Sequence, residues 1–227
     1  MAADTKEHIL DAAERLFAKN GIDAVSLRTI TTEARVNLAA VHYHFGSKEG
    51  LVEKVFGRRI SGVNRERIEM LDAAEEAAGD GPLAVEDVLR ALFTPALRLS
   101  REGEKGRMFM LMCGRIYAEP ASFVQRIFVE LFQDIVVRFR AAFLRALPDL
   151  PTVDRAWRVQ FAVGAMAHTM LANETLKTYS GGVCDPTDVD AVVERIVAFA
   201  AAGLRAPASA IVAEPATEEQ PVAEITS

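Results

Sequence analysis

Cysteine is scarce: two in 227 residues, Cys113 inside the apolar run MFMLMC and Cys184 far beyond it. That spacing excludes a disulfide framework and any CxxC metal or redox pair, so a reducing cytoplasm is the expected compartment. No apolar run reaches the roughly 18 residues that a membrane helix needs. The N-terminus carries Asp4, Glu7 and Asp11 where a secretory leader would be basic. The chain is therefore expected to be neither exported nor membrane-spanning. GxSxG, a phosphate loop and HExxH are missing too, so neither an enzyme nor a cofactor protein is expected. No metal site is expected either, because His42 and His44, two apart on a helix, point to different faces.

Positive charge is also in deficit, with a net charge of −6 and an isoelectric point near 5.4. A nucleic-acid partner needs bases to meet phosphates, and the distribution supplies them locally. Between Ser26 and Arg59 stand Arg28, Arg35, Lys48, Lys54, Arg58 and Arg59 against only Glu33, Glu49 and Glu53. The excess acid lies elsewhere, notably in Glu214, Glu218, Glu219 and Glu224.

What the chain does have is apolar residues, half of its length, with a mean hydropathy of +0.12. That is enough to bury a sizeable core, and their spacing is helical throughout. Ile9, Ala12, Ala13, Leu16 and Phe17 give an amphipathic stripe over Thr5 to Asn20, with an Asp4/Glu7 capping box and an Asn20-Gly21 stop. Ser26 caps a short helix, Leu27 to Ala34, and Arg35-Val36-Asn37 forms a tight turn into another, Leu38 to Phe45. Beyond Gly46, Ser47 opens a long helix with Leu51, Val55, Phe56, Ile60 and Val63 inward, ending at the Gly79-Asp80-Gly81-Pro82 breaker cluster. Later stripes predict a helix bundle, including one helix from Asp154 to Tyr179 that is apolar on two faces and a last one from Pro186 to Leu204. The expected fold is all-α with about nine helices. It comprises a helix-turn-helix unit over 1–46, a second helical unit over 47–205 entered through a connecting helix at 47–79, and a disordered tail at 206–227 rich in Ala, Pro, Glu and Thr.

Two short helices joined by a three-residue turn and crossed by a third match the needs of a helix-turn-helix, whose second helix enters a major groove about 12 Å wide. With Leu38, Val41 and Phe45 inward, the outward residues are Asn37, Ala39, Ala40, His42, Tyr43 and His44. The two alanines leave room for close approach and for a thymine methyl. Arg28, Thr29 and Lys48, at helix starts, would offer charge and free N–H groups to phosphates.

These residues carry a family resemblance. The stretch ILDAAERLFAKNGIDAVSLRTITTEARVNLAAVHYHFGSKEGLVEKVF resembles the DNA-binding domain of TetR regulators, with the run His42-Tyr43-His44-Phe45-Gly46-Ser47-Lys48-Glu49-Gly50-Leu51 at the end of its recognition helix. The resemblance implies a homodimer on a double-stranded operator, paired through its last two helices in a four-helix bundle. Trp157, Phe161, Gly164 and His168, with Val193, Ile196 and Ala200, are the expected dimer contacts. Two positions depart from the pattern. Arg35 stands where the turn usually has glycine, at a cost of about 1 kcal/mol if the backbone is left-handed there. His42 stands where a tyrosine is frequent.

In the second unit, Met108, Phe109, Met112, Phe128, Phe132, Phe139, Met166 and Met170 form a flexible apolar set that reads either as plain core or as the lining of an adaptable pocket. Arg98, Arg101, Arg107 and Arg115 read either as surface salt-bridge partners or, for one beside the apolar run such as Arg115, as the anchor of an acidic head group. SLRTIT, VNLAAVHYHFGSK, WRVQFAVGAMAHTM and the stretch 199–206 further resemble the PsrA-type branch of the family. That implies a fatty acid or acyl-CoA ligand and control of lipid metabolism genes. The rival readings are a multidrug-type sensor and a helical adaptor without ligand.

Overall fold

The computed structural model describes residues 2–118, 122–171 and 173–208. Among them are ten helices and no strand: α1 (Ala2–Asn20), α2 (Leu27–Ala34), α3 (Leu38–Phe45), α4 (Lys48–Ala78), α5 (Val85–Ser100), α6 (Gly103–Ala118), α7 (Ser122–Ala146), α8 (Thr152–Leu171), α9 (Asn173–Tyr179) and α10 (Val189–Arg205). The all-α expectation is borne out. The tenth helix arises because the run expected from Asp154 to Tyr179 is described as α8 and α9, on either side of residue 172, which lies outside the described residues. Most of the expected tail, 209–227, lies outside them as well. α1 starts at Ala2, so Asp4 sits in the first turn and not at a cap, the alanines before it being strong helix formers.

Local signals account for the helix ends. Ser26, Asn37 and Ser47 each accept a hydrogen bond from the backbone N–H three residues on, at 3.1, 2.8 and 3.1 Å, satisfying an otherwise orphan donor. α10 starts likewise at Asp188, whose carboxylate accepts from the Ala191 N–H.

α1, α2 and α3 pack on one another and on the start of α4 around Ile9, Ala13, Phe17, Ile30, Val41 and Phe45. α5 is the spine of the rest: eleven of its residues are buried, and α4, α6, α7, α8 and α10 all pack on it. Such a helix must be apolar all round, and Val88, Leu89, Leu92, Phe93 and Leu97 make it so. Arg90 pairs with Glu194 at 2.8 Å, and Arg205 pairs with Glu86, tying α10 to α5 at both ends. Their hydrogen bonds from arginine hold the Glu86 and Glu194 carboxyls below the usual carboxylate range.

Candidate functional site

The α2–turn–α3 segment presents an outward face. On α3, Val41 and Phe45 are buried while Ala39 and His42 are exposed and Tyr43 is 84% exposed. Leu38, expected inward, is 37% exposed, since the first helical residue reaches past the edge of the three-helix core. Arg28 and Thr29 are exposed at the start of α2, and Asn37 at the start of α3. Ala40 and His44 are half-buried, and the His44 ring stands edge-on to Tyr43 at 5.0 Å. His42 uses Nδ1 to bond the Gly46 carbonyl at 2.8 Å, which fixes the ring against the end of its own helix. Lys48 Nζ donates to the Asp23 carbonyl at 3.3 Å, so the lysine lies alongside the α1–α2 loop.

The turn is as tight as its three residues demand. Arg35 adopts φ 55°, ψ 43°, the only positive φ outside glycine among the described residues. The Val36 N–H reaches back to the Thr31 carbonyl at 3.0 Å, closing the end of α2 in a Schellman-type cap. At the far end of α3, Gly46 has φ 73°, and a Cβ on Gly50 would lie 2.3 Å from the Phe45 carbonyl oxygen. Both glycines are therefore required for α4 to leave α3 at this angle.

Three of the six bases counted toward phosphate are committed elsewhere. Lys54 pairs with its neighbour Glu53 at 2.7 Å. Arg58 bonds Asp11 at 2.8 Å, Glu7 at 3.3 Å and the Glu14 carboxylate, and Arg59 bonds Glu14 at 3.0 Å. Burial works against the Arg58 charge, but the Asp11 and Glu14 carboxylates outweigh it and raise its pKa. Glu14 itself is 5% exposed. The cluster is a clamp between α1 and α4, which leaves Arg28, Arg35 and Lys48 as the bases flanking the outward face.

In the second unit, Phe128 stacks edge-on against Phe56 at 5.4 Å and lies 5.5 Å from Phe132. Phe139 and Phe109 are buried, and Met108 packs against the same core. Met166 and Met170 are buried on α8, whose main neighbours are α5 and α10, whereas α7 with its phenylalanines packs on α4 and α5. The side chains of Met112, Cys113 and Arg115 lie outside the described ones. Arg98 pairs with Glu66 at 3.2 Å, and Arg101 bonds the Pro186 carbonyl at 3.1 Å.

Sequence reasoning missed a different arginine. Arg67 of α4 is 5% exposed, and its Nε donates to the Leu92 carbonyl at 2.9 Å and Nη1 to Asn64 Oδ1 at 3.1 Å. Its guanidinium carbon stands 5.8 Å from the centre of the Phe132 ring. Burial pulls its pKa down to about 10.

The outer side of α8 is strongly apolar. Trp157 and Phe161 are 59% and 65% exposed with ring centres 5.7 Å apart, and Gly164, His168 and Leu171 continue the exposed face. The expected α10 contribution stands corrected. Val193, Ile196 and Ala200 are buried inside the protomer, because theirs is the stripe that α10 needs against α5. The outer side of α10 instead carries Arg195, Ala198, Phe199, Ala202 and Gly203. No described helix is long and apolar enough to cross a membrane.

Comparison with known proteins agrees with this geometry. Residues 9–55 match the family model for bacterial regulatory proteins, tetR family, and residues 90–203 match that for a tetracyclin repressor-like C-terminal domain. The nicotine-responsive transcriptional repressor HdnoR of Paenarthrobacter nicotinovorans is 33% identical over 73 residues, 32% of this chain and 38% of that protein. The transcriptional regulator AcrR of Shigella flexneri is 33% identical over 109 residues, 48% of this chain and 47% of that protein. The chain thus matches less than half the length of these curated relatives. Among solved structures, the fatty acid degradation regulator FadR of Bacillus halodurans shares the fold with a TM-score of 0.62 at 15% identity, over 88% of this chain and 96% of that one. SCO4454 of Streptomyces coelicolor does so with 0.55 at 22%, over 89% and 95%.

Proposed function

The chain belongs to the TetR family of DNA-binding bacterial regulators, and on that premise we propose that it is a homodimeric repressor released from its operator by a fatty acid or acyl-CoA. The observation that carries the DNA half is the outward face of α3. Its small Ala39 and exposed His42 and Tyr43 are flanked by bases that no carboxylate neutralises among the described residues. Ala39 and Ala40 permit close approach to base edges, while His42, Tyr43 and His44 supply contacts along the groove. Arg28, Thr29, Asn37 and Lys48, placed around helix starts, meet phosphates. Asn37 Oδ1 is occupied in capping α3, which leaves its amide N–H₂ to donate.

The exposed Trp157 and Phe161, an apolar face that single protomers rarely leave bare, support the dimer. It pairs α8, together with the Phe199 side of α10, with the same helices of a second copy. Two recognition helices then read half-sites one helical turn apart, about 34 Å. Ligand acts through α4, which carries the clamp to α1 at its start and the aromatic core further along. A ligand that favours a spacing unsuited to DNA shifts the population away from the operator, by no more than its difference in affinity for the two states. The phenylalanine cluster and the resemblance to fatty-acid-responsive regulators support an acyl ligand.

The test is an electrophoretic shift with DNA from upstream of the protein's own gene, titrated with oleate, oleoyl-CoA and unrelated drugs. The expected outcome is a retarded band that the acyl compounds release. No shift on any such DNA would count against the regulator reading, and a shift that acyl species tighten or ignore would count against the ligand.

A further inference from the structure

The buried face of α4 runs Phe56, Ile60, Val63, Arg67, Leu71, so a guanidinium occupies a position that the stripe otherwise gives to apolar side chains. Part of its role is structural. Pro95 lacks the amide that would bond the Ala91 carbonyl one turn back in α5, and Arg67 Nε takes the neighbouring carbonyl, Leu92. Asn64 links its Nη1 on to the Leu131 carbonyl of α7, donating there at 2.9 Å. All of these acceptors are neutral. A glutamine could donate to them without bringing a charge into the core, and a methionine would continue the stripe.

The charge is therefore what the fold leaves unanswered. Among the described residues no carboxylate lies within salt-bridge distance of Arg67, and the acids within eight residues of it on its own helix are taken. Glu66 pairs with Arg98, Glu69 with Arg65, and Asp72 and Glu75 with Arg138. Removing an unpaired cation from water is costly, consistent with the downward pull on its pKa, and at about 10 it is still protonated at neutral pH. Nη2 makes no hydrogen bond among the described residues, while Phe132, Phe128 and Phe56 line up beside the group at successive ring spacings near 5.5 Å. Arg101 is the competing cation. It is half-buried and gives Nε to the Pro186 carbonyl and Nη1 to Ser100 Oγ and the Met170 carbonyl, pinning the segment before α10. Its Nη2 is buried without a partner among the described residues, but it has no aromatic ring beside it there as Arg67 has Phe132.

We propose that Arg67 is the anchor for an anionic head group, and that the ligand class is an amphipathic carboxylic acid whose carboxylate takes Nη2 while its apolar body lies along Phe132, Phe128 and Phe56. This rests on the reading of the chain as a ligand-released regulator and specifies its recognition site. It also gives the ligand a lever. Arg67 lies nine residues beyond Arg58, about 13 Å along the same helix at 1.5 Å per residue, so a pull on one is felt at the clamp to α1.

The test uses the full-length protein with laurate, methyl laurate, 2-naphthoate and methyl 2-naphthoate as probes, read by calorimetric titration and by the shift in Tm. Wild type is expected to bind at least one acid about tenfold or more tightly than its uncharged ester, the size of one charge-assisted hydrogen bond. Arg67→Gln should erase that preference, Arg67→Lys should keep part of it, and Arg101→Gln should leave it alone. Equal binding of acid and ester, a preference that survives Arg67→Gln or disappears in Arg101→Gln, or no binding of any probe overturns the anchor. Laurate and its ester bound equally, with no preference for either acid, leaves the acyl reading standing and removes Arg67. A preference for naphthoate that depends on Arg67, with laurate ignored, does the reverse. Should Arg67→Gln fail to fold by circular dichroism, the acid-to-ester ratios of wild type and Arg67→Lys decide.

Discussion

Arg35 holds a backbone conformation that glycine adopts freely, at φ 55°, ψ 43°. For a residue with a Cβ this costs about 1 kcal/mol, and its exposed side chain makes no ion pair among the described residues to offset it. A phosphate contact is the compensation that fits its place between α2 and α3. Arg35→Gly is accordingly expected to raise the unfolding free energy by roughly 0.5–1 kcal/mol while weakening operator binding and lowering its salt slope by about one phosphate. Denaturant melts and operator titrations at several salt concentrations measure both, and an unchanged slope would remove Arg35 from the interface. This position was legible in advance, because turn chemistry is local. Ser26, Asn37 and Ser47 were legible as caps or turn residues for the same reason. Arg67 was not. It sits one step past Val63 on the inward spacing of α4, and extending that spacing would have reached it, but a basic residue on a helix reads as solvent-facing until a neighbouring helix covers it.

At the level of whole helices, α4 packs on α1 and α3 at one end and on α5 and α7 beyond, which is why the proposal routes ligand action through it, and its hold on α1 depends on Glu14. One buried carboxylate serves both Arg58 and Arg59, whereas Asp11 and Glu7 are half-exposed and meet Arg58 alone. Glu14→Gln should therefore cost about 2 kcal/mol, the price of a charged hydrogen-bonding group lost from the interior, and lower Tm by some 4–8 °C at about 2–4 °C per kcal/mol. Asp11→Asn should cost under about 1 kcal/mol, as exposed pairs do. The same clamp explains why counting bases overestimated the charge available to DNA: composition places Arg58 and Arg59 near the basic cluster, and only the packing of α1 on α4 shows them spent. α10 carries a related lesson. Periodicity revealed an apolar stripe at Val193, Ile196 and Ala200 but could not say whether the chain itself or a partner would cover it, and α5 covers it.

For the proposed dimer, the net charge of −6 would matter less than the pairing of two weak readers. A single α3 face with three flanking bases has little hold on DNA. Two joined at a fixed spacing bind as one, and such linkage raises affinity about 10²–10⁴-fold without any new contact. Operator binding should then stand or fall with the α8 face. In a two-fold interface a substitution at Phe161 enters twice, so Phe161→Glu places two carboxylates in the apolar seam. The expected result is a monomer in sedimentation, still folded because Phe161 is 65% exposed in the protomer, with operator affinity down about a hundredfold or more. Trp157, the sole tryptophan, reports the event directly. Its emission should move to the red when wild type is diluted below its dimer dissociation constant and stay red at every concentration in Phe161→Glu. Val137→Glu, on the exposed face of α7, is the control that should leave both assembly and DNA binding intact. A Phe161→Glu protein that remains dimeric would mean that another surface pairs the protomers, and the exposed valines of α7 would then be the first place to look.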